Sequence, residues 1–207
     1  MQKLAIVFPG QGSQSVGMLN NYNLEHSEIV AAACQEASDI LGYDMADLIA
    51  NDPQQQLNQT AFTQPAMLTA GVIAWRIRLQ TQAALPSILA GHSLGEYTAL
   101  VCANALSFAE GLKLVAKRGE LMQNSVPPGT GAMAAILGLD LTAVQTICTK
   151  ATGIVQAANI NAPGQIVIAG EAKSVAEAIE IAKTSGAKRA IMLPVSVPSH
   201  CELMRPA

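Results

Sequence analysis

Gly91-His92-Ser93-Leu94-Gly95 stands between a short apolar run at 86–91 and a helix-like run at 96–105, and this order constrains the fold more than any other stretch. A strand, a sharp turn carrying a serine and then a helix is the geometry of a nucleophile elbow. The two glycines flank the serine where backbone comes close to backbone, so a larger side chain would clash there. Ser93 is then exposed at the tip of the turn. The alternative for the same five residues is an ordinary glycine-rich turn with a solvated serine.

Half of the 207 residues are apolar, enough to build one large domain or a large and a small one. Only 13% are charged and the net charge is -3, which argues against a nucleic-acid binder that must neutralise phosphates with a basic face. The start, Met1-Gln2-Lys3 followed by the apolar run 4–8, is too short for the apolar core of a signal peptide. Elsewhere the apolar stretches are interrupted by Arg76, Lys113 or glycine, short of the ~20 residues a membrane span needs. The expected location is cytoplasmic, with no membrane contact. Cys34, Cys102, Cys148 and Cys201 are scattered without CxxC spacing, so they read as buried free thiols rather than disulfides or a zinc site. No metal cluster or nucleotide-binding fingerprint is present, and no cofactor is expected.

The run 4–8 ends at Pro9-Gly10-Gln11-Gly12, as a buried parallel strand leading into a polar loop would. The C-terminal end of such a strand is where an α/β sheet places ligands. Helices are expected at 28–41, capped by Ser27 and stopped by Gly42, and at 65–83 and 108–124. From Gly131 the texture changes. Strand-like 132–139, helical 141–151, strand-like 154–159 and 165–169, helical 174–185 and strand-like 190–195 give the order βαββαβ, the ferredoxin-like split pattern. Pro127-Pro128-Gly129 and the prolines Pro194 and Pro198 read as the two crossings of a hinge, so residues 129–197 form an inserted small subdomain. The larger subdomain, 1–128 and 198–207, shows only two strands, a poor core by themselves. The natural chain is therefore expected to continue past Ala207 and supply more.

A serine hydroxyl needs a base within reach and donors for the developing oxyanion. Of the three histidines, His26 precedes a helix and reads as a surface residue, and His92 adjoins Ser93, so its side chain should point away, into a structural or pocket-wall role. His200, in Val197-Pro198-Ser199-His200, is the remaining candidate, with a structural histidine as the alternative. No acid is nominated. The backbone N–H of Leu94, the residue after the nucleophile, is the first oxyanion donor, and the loop Gly10 to Gly12 is the source of a second. Arg118, beside Lys117, reads from the residues alone as a solvated helix end.

Six motifs occur together in order: Phe8-Pro9-Gly10-Gln11-Gly12-Ser13-Gln14, Thr63-Gln64-Pro65-Ala66, Gly91-His92-Ser93-Leu94-Gly95-Glu96, Arg118-Gly119, Asn161-Ala162-Pro163-Gly164-Gln165 and Pro198-Ser199-His200. In this combination the whole chain resembles the malonyl-CoA:acyl carrier protein transacylases of bacterial fatty acid synthesis, short of their C-terminal part. The resemblance implies an α/β fold, with an α/β-hydrolase-like large subdomain built on a parallel sheet beside the inserted ferredoxin-like one. It implies that Ser93 takes malonyl from coenzyme A as an ester and gives it to the phosphopantetheine thiol of acyl carrier protein. By the same likeness His200 is the base, the N–H groups of Gln11 and Leu94 form the oxyanion hole, and a backbone carbonyl beyond this chain replaces the acid. Arg118 is assigned to the malonyl carboxylate, which its planar fork can hold through two charge-assisted hydrogen bonds. Gln64, Met122, Met133, Asn161 and Ser199 resemble pocket-lining positions, although apolar packing explains either methionine equally well. A serine hydrolase or thioesterase on the same elbow, or an inactive module that binds the carrier protein, are the alternatives. For an acidic carrier, Lys113, Lys117, Lys183, Lys188 and Arg189 could form a basic patch, against the default of solvated side chains.

Overall fold

The structure is a computed structural model that describes residues 3–81 and 83–207. Met1 and Gln2 of the short start, and Gln82 inside the expected helix 65–83, lie outside the described residues. The chain divides into two compact units, Met1–Glu120 and Leu121–Ala207.

In the first unit, strand β1 (Ala5–Phe8) pairs in parallel with β2 (Ile88–Gly91), Phe8 standing opposite Gly91. Around the pair stand α1 (Asn20–Leu41), α2 (Met45–Ala50), α3 (Thr60–Gln80), α4 (Gly95–Cys102) and α5 (Phe108–Asn124), the last running across the boundary between units. Phe8, Leu68, Ile73, Leu94, Leu112 and Val115 belong to one buried cluster, so the strand ends and all three later helices meet in a common core. Burying each such side chain stabilises by about 1.5–3 kcal/mol before chain entropy is counted.

Local chemistry accounts for most helix limits. Gly42 ends α1 in a left-handed conformation, where a glycine carries no steric penalty. The Asp44 carboxylate accepts from the Asp47 N–H and opens α2, a six-residue helix that the sequence pattern does not reveal. Ser107 and Glu110 cap α5 reciprocally: the Glu110 carboxylate accepts from the Ser107 N–H, and the Ser107 hydroxyl accepts from the Glu110 N–H. Two expectations change. Helix α1 starts before Ser27, with a non-helical residue, His26, inside it. Helix α3 starts at Thr60 rather than at Pro65, which lies inside the helix. As the sixth residue of the helix, Pro65 lacks the donor that would bond the Ala61 carbonyl, and the helix continues through it.

The second unit is a four-stranded antiparallel sheet of β3 (Gly131–Leu137), β4 (Val155–Ala162), β5 (Gln165–Glu171) and β6 (Arg189–Met192), in the order β4-β5-β3-β6. With α6 (Leu141–Lys150) and α7 (Ala172–Thr184) interleaved, this is the βαββαβ succession in ferredoxin-like strand order. Period-two alternation sorts the faces. Ala134, Ile136, Ile166 and Ile168 face the cluster that holds Val144 and Ile147 of α6 and Val175 and Ile179 of α7. Met133, Val167 and Ala169 face the other way, against Cys201 and Leu203. Residues 198–207 therefore pack on the free face of this sheet, and the Gln156 side chain accepts from the Glu202 N–H at 2.8 Å. Burial of Cys201 against Met133 ties these last residues to the second unit, whose first residues belong to the end of α5. No helix among the described residues is long and apolar enough to cross a membrane.

Candidate active site

Residues 88–102 fold as a strand, a turn and a helix, with Ser93 in the turn at φ +53°. A non-glycine residue in the left-handed region is strained, and such strain persists only where the surroundings over-determine it. Here they do. A Cβ on Gly91 would lie 1.9 Å from the Gly95 carbonyl carbon, and one on Gly95 would lie 2.1 Å from the Phe8 carbonyl oxygen. The turn is thus pressed against both its own helix and the end of β1. His92 donates its N–H to the Phe8 carbonyl at 3.0 Å and accepts at its own carbonyl from the Gly95 N–H at 2.9 Å. This latch fixes the turn to the first strand, and Leu94 beneath it is fully buried.

The loop after β1 closes on the elbow. A Cβ on Gly10 would stand 2.6 Å from the His92 carbonyl oxygen and 3.1 Å from its Nδ1, so the Gly10 backbone lies directly on His92. Gln11 follows, and its side-chain amide donates to the Thr60 hydroxyl at the start of α3. His92 therefore holds this loop through its backbone and ring.

Arg118 reaches the serine from α5. Its Nη1 donates to Gln64 Oε1 at 2.6 Å, and its Nη2 donates to Ser93 Oγ at 3.4 Å, a long contact. Gln64 is fully buried on α3, and the Arg118 guanidinium carbon lies 5.5 Å from the centre of the Tyr97 ring. Among the described residues Arg118 has no carboxylate partner, unlike Lys117 beside it, which pairs with Glu120 at 3.0 Å. The bland reading of a solvated helix end fits Lys117; Arg118 is turned the other way. Within the first unit, Arg118 thus joins Gln64 to Ser93, while the loop that carries Gln11 lies on His92 and Thr60.

The remaining expected residues belong to the second unit or to its border. Met122 is buried on the last turns of α5. Met133 packs with Val167, Ala169 and Cys201. Ser199 and His200 stand in the turn before Cys201, where His200 adopts φ +63° and is largely exposed. Asn161 lies near the exposed far end of β4, outside the apolar cluster of Met133 and Cys201. Two residues around the serine escaped sequence reasoning. Neither Tyr97 nor Thr60 carries a local signal, since the one depends on where Arg118 reaches and the other on where α3 lies.

The four cysteines are free and buried. Burial pushes the Cys34 thiol up to about 11, with the Asp44 charge adding to the effect, and pushes Cys102 up to about 12. They stay protonated at neutral pH.

Comparison with known proteins places this geometry. Residues 5–207 match the family described as acyl transferase domain. A malonyl CoA-acyl carrier protein transacylase of Salmonella typhimurium is 50% identical over 209 residues, covering all of this chain and 67% of that protein. The structure of such a transacylase from Coxiella burnetii superposes with a TM-score of 0.95 at 52% identity, over 99% of this chain and 65% of that one. A malonyl-transacylase solved in complex with a type II polyketide-synthase acyl-carrier protein superposes with a TM-score of 0.95 at 49% identity, over 99% and 67%. The chain spans about two thirds of the length of these relatives. With this degree of identity over the whole chain, and a serine elbow that an arginine reaches, the chain belongs to the malonyl-CoA:acyl carrier protein transacylase family.

Proposed function

We propose that this chain carries the acyl-transfer site of an enzyme that moves malonyl from coenzyme A to the phosphopantetheine thiol of acyl carrier protein, in the cytoplasm. Ser93 Oγ attacks the thioester carbonyl and yields its proton to His200, and the oxyanion is received by the N–H groups of Gln11 and Leu94. The carbon–sulfur bond then breaks, and the coenzyme A sulfur leaves with the proton from His200. In the second half the carrier thiol attacks the Ser93 ester, its proton passes through the same histidine to Oγ, and serine is restored. Gln64, Met122, Met133, Asn161 and Ser199 are taken as the pocket lining.

One observation carries this reading: an arginine held by neutral groups, with no carboxylate partner among the described residues, donates toward the elbow serine. A guanidinium so placed is complementary to an acyl group that ends in a carboxylate, and it is left uncompensated by acetyl. The test is intact mass after incubation with malonyl-CoA. The reading requires a malonyl adduct that maps to Ser93, is absent from Ser93→Ala and is discharged by carrier protein. Free malonate released at a rate indifferent to carrier protein would instead establish a hydrolase, and no adduct at all would leave only a binding module.

A further inference from the structure

We propose that Tyr97 is a positioning residue for acyl-group selection, its ring face setting the plane in which Arg118 offers its donors to the carboxylate of an acyl thioester. The inference rests on the reading of Arg118 as the carboxylate clamp. Tyr97 lies in the first turn of α4, the helix that opens directly after the Ser93 turn. Its ring is half-buried against the core of the first unit, which holds it still. Its hydroxyl has no hydrogen-bond partner among the described residues, so the ring rather than the hydroxyl makes the contact that matters.

Two constraints are needed to orient a planar fork. The bond from Nη1 to Gln64 Oε1 fixes one edge of the guanidinium, and the contact from Nη2 to Ser93 Oγ, at 3.4 Å, is too long to stop the plane from turning about that bond. An aromatic face 5.5 Å from the guanidinium carbon removes that freedom. Neither partner carries charge. A carboxylate in either place would hold the arginine more firmly but would also neutralise it. The chain shows that contrast directly: Arg76 lies 5.0 Å from the centre of the Phe108 ring, yet it is paired with Glu36 at 2.9 Å and its charge is compensated. Arg118 has the same kind of platform without the anion, which leaves its charge for a substrate.

The experiment uses the intact protein and reads kcat/KM for malonyl-CoA relative to acetyl-CoA in Tyr97→Leu, Tyr97→Phe, a series with one, two and three ring fluorines on phenylalanine at 97, and Arg118→Ala. Losing the ring face should lower the ratio about tenfold in Tyr97→Leu, through KM for malonyl-CoA. Tyr97→Phe should restore it to within twofold, because the face is kept. Each added fluorine withdraws charge from the face at nearly constant shape, so the ratio should fall stepwise along the series. A ratio that stays flat across the fluorines overturns the proposal, as does a loss that is equal in Tyr97→Leu and Tyr97→Phe. Should Tyr97→Leu not fold, the fluorine series decides alone. A flat series with a lowered ratio in Arg118→Ala removes Tyr97 and keeps the clamp; no change in either removes both.

Discussion

Replacing Gly91 by alanine tests whether the elbow is held by contact or by conformation. Neither Gly91 nor Gly95 has a positive φ, so an alanine there meets no torsional penalty. The obstacle is space. A Cβ on Gly91 would sit 1.9 Å from the Gly95 carbonyl carbon and 2.1 Å from the Glu96 nitrogen, about 1.5 Å inside the ~3.5 Å of ordinary contact. Both obstructing atoms are backbone, so the helix start must move away as a body and carry Ser93 with it. Overpacking usually costs 1–3 kcal/mol; with no flexible side chain to yield, Gly91→Ala should cost about 3 kcal/mol. A displacement of about 1 Å at the nucleophile should lower kcat/KM for malonyl transfer by roughly 100-fold. Gly42→Ala is the converse control, since Gly42 has φ +78° and nothing within 4 Å of the added atom. It should cost about 1 kcal/mol, from backbone strain alone, with activity retained. Urea denaturation with steady-state kinetics on both variants decides the matter. Equal stabilities together with a fully active Gly91→Ala would refute the argument from close approach.

Arg118→Ala should lower kcat/KM for malonyl-CoA by roughly 30-fold, the ~2 kcal/mol of charge-assisted hydrogen bonding lost, and leave acetyl-CoA nearly unaffected; an unchanged ratio removes Arg118 from the site. The buried thiols predict a pH dependence of stability. Cys34 and Cys102 are raised in the folded state, so their contribution is complete below about pH 8.5, where the unfolded thiol is still protonated, and is lost as pH climbs toward 11. Urea midpoints at pH 7.5 and 10 should show a smaller alkaline loss in Cys102→Val than in the parent, and equal losses would contradict this account.

What could be read from the sequence follows from how local each cause is. The elbow was legible because glycine at 91 and 95 answers a demand within five residues. Helix α5 was legible to its ends, since seventeen residues give a full apolar stripe and Ser107 precedes it. Helix α2 was not, because six residues complete too few turns for a period to emerge. Pro65 misled in a specific way: proline marks helix starts statistically, yet here it tolerates a start five residues earlier. The hold on Arg118 lies deeper still. Gln64 is 54 positions from it in the chain, and only the packing of α3 against α5 could reveal that a helix-end arginine turns inward. The cover that Cys201 and Leu203 give to one face of the second sheet is likewise a tertiary feature with no local signal.

The register of β1 on β2 also bears on how the molecule comes to be built. Phe8 and Gly91 are paired across more than eighty intervening residues, whereas α1, α3 and α5 each form from neighbours in sequence. Closing so long a loop costs entropy that a two-strand contact alone does not repay, so the pairing waits until the intervening helices have packed. The latch from the His92 N–H to the Phe8 carbonyl forms with that pairing, and the strained Ser93 conformation depends on it. Helical signal should therefore return before activity during refolding, with the nucleophile the last part of the first unit to be made; simultaneous return would show that the elbow forms without its partner strand.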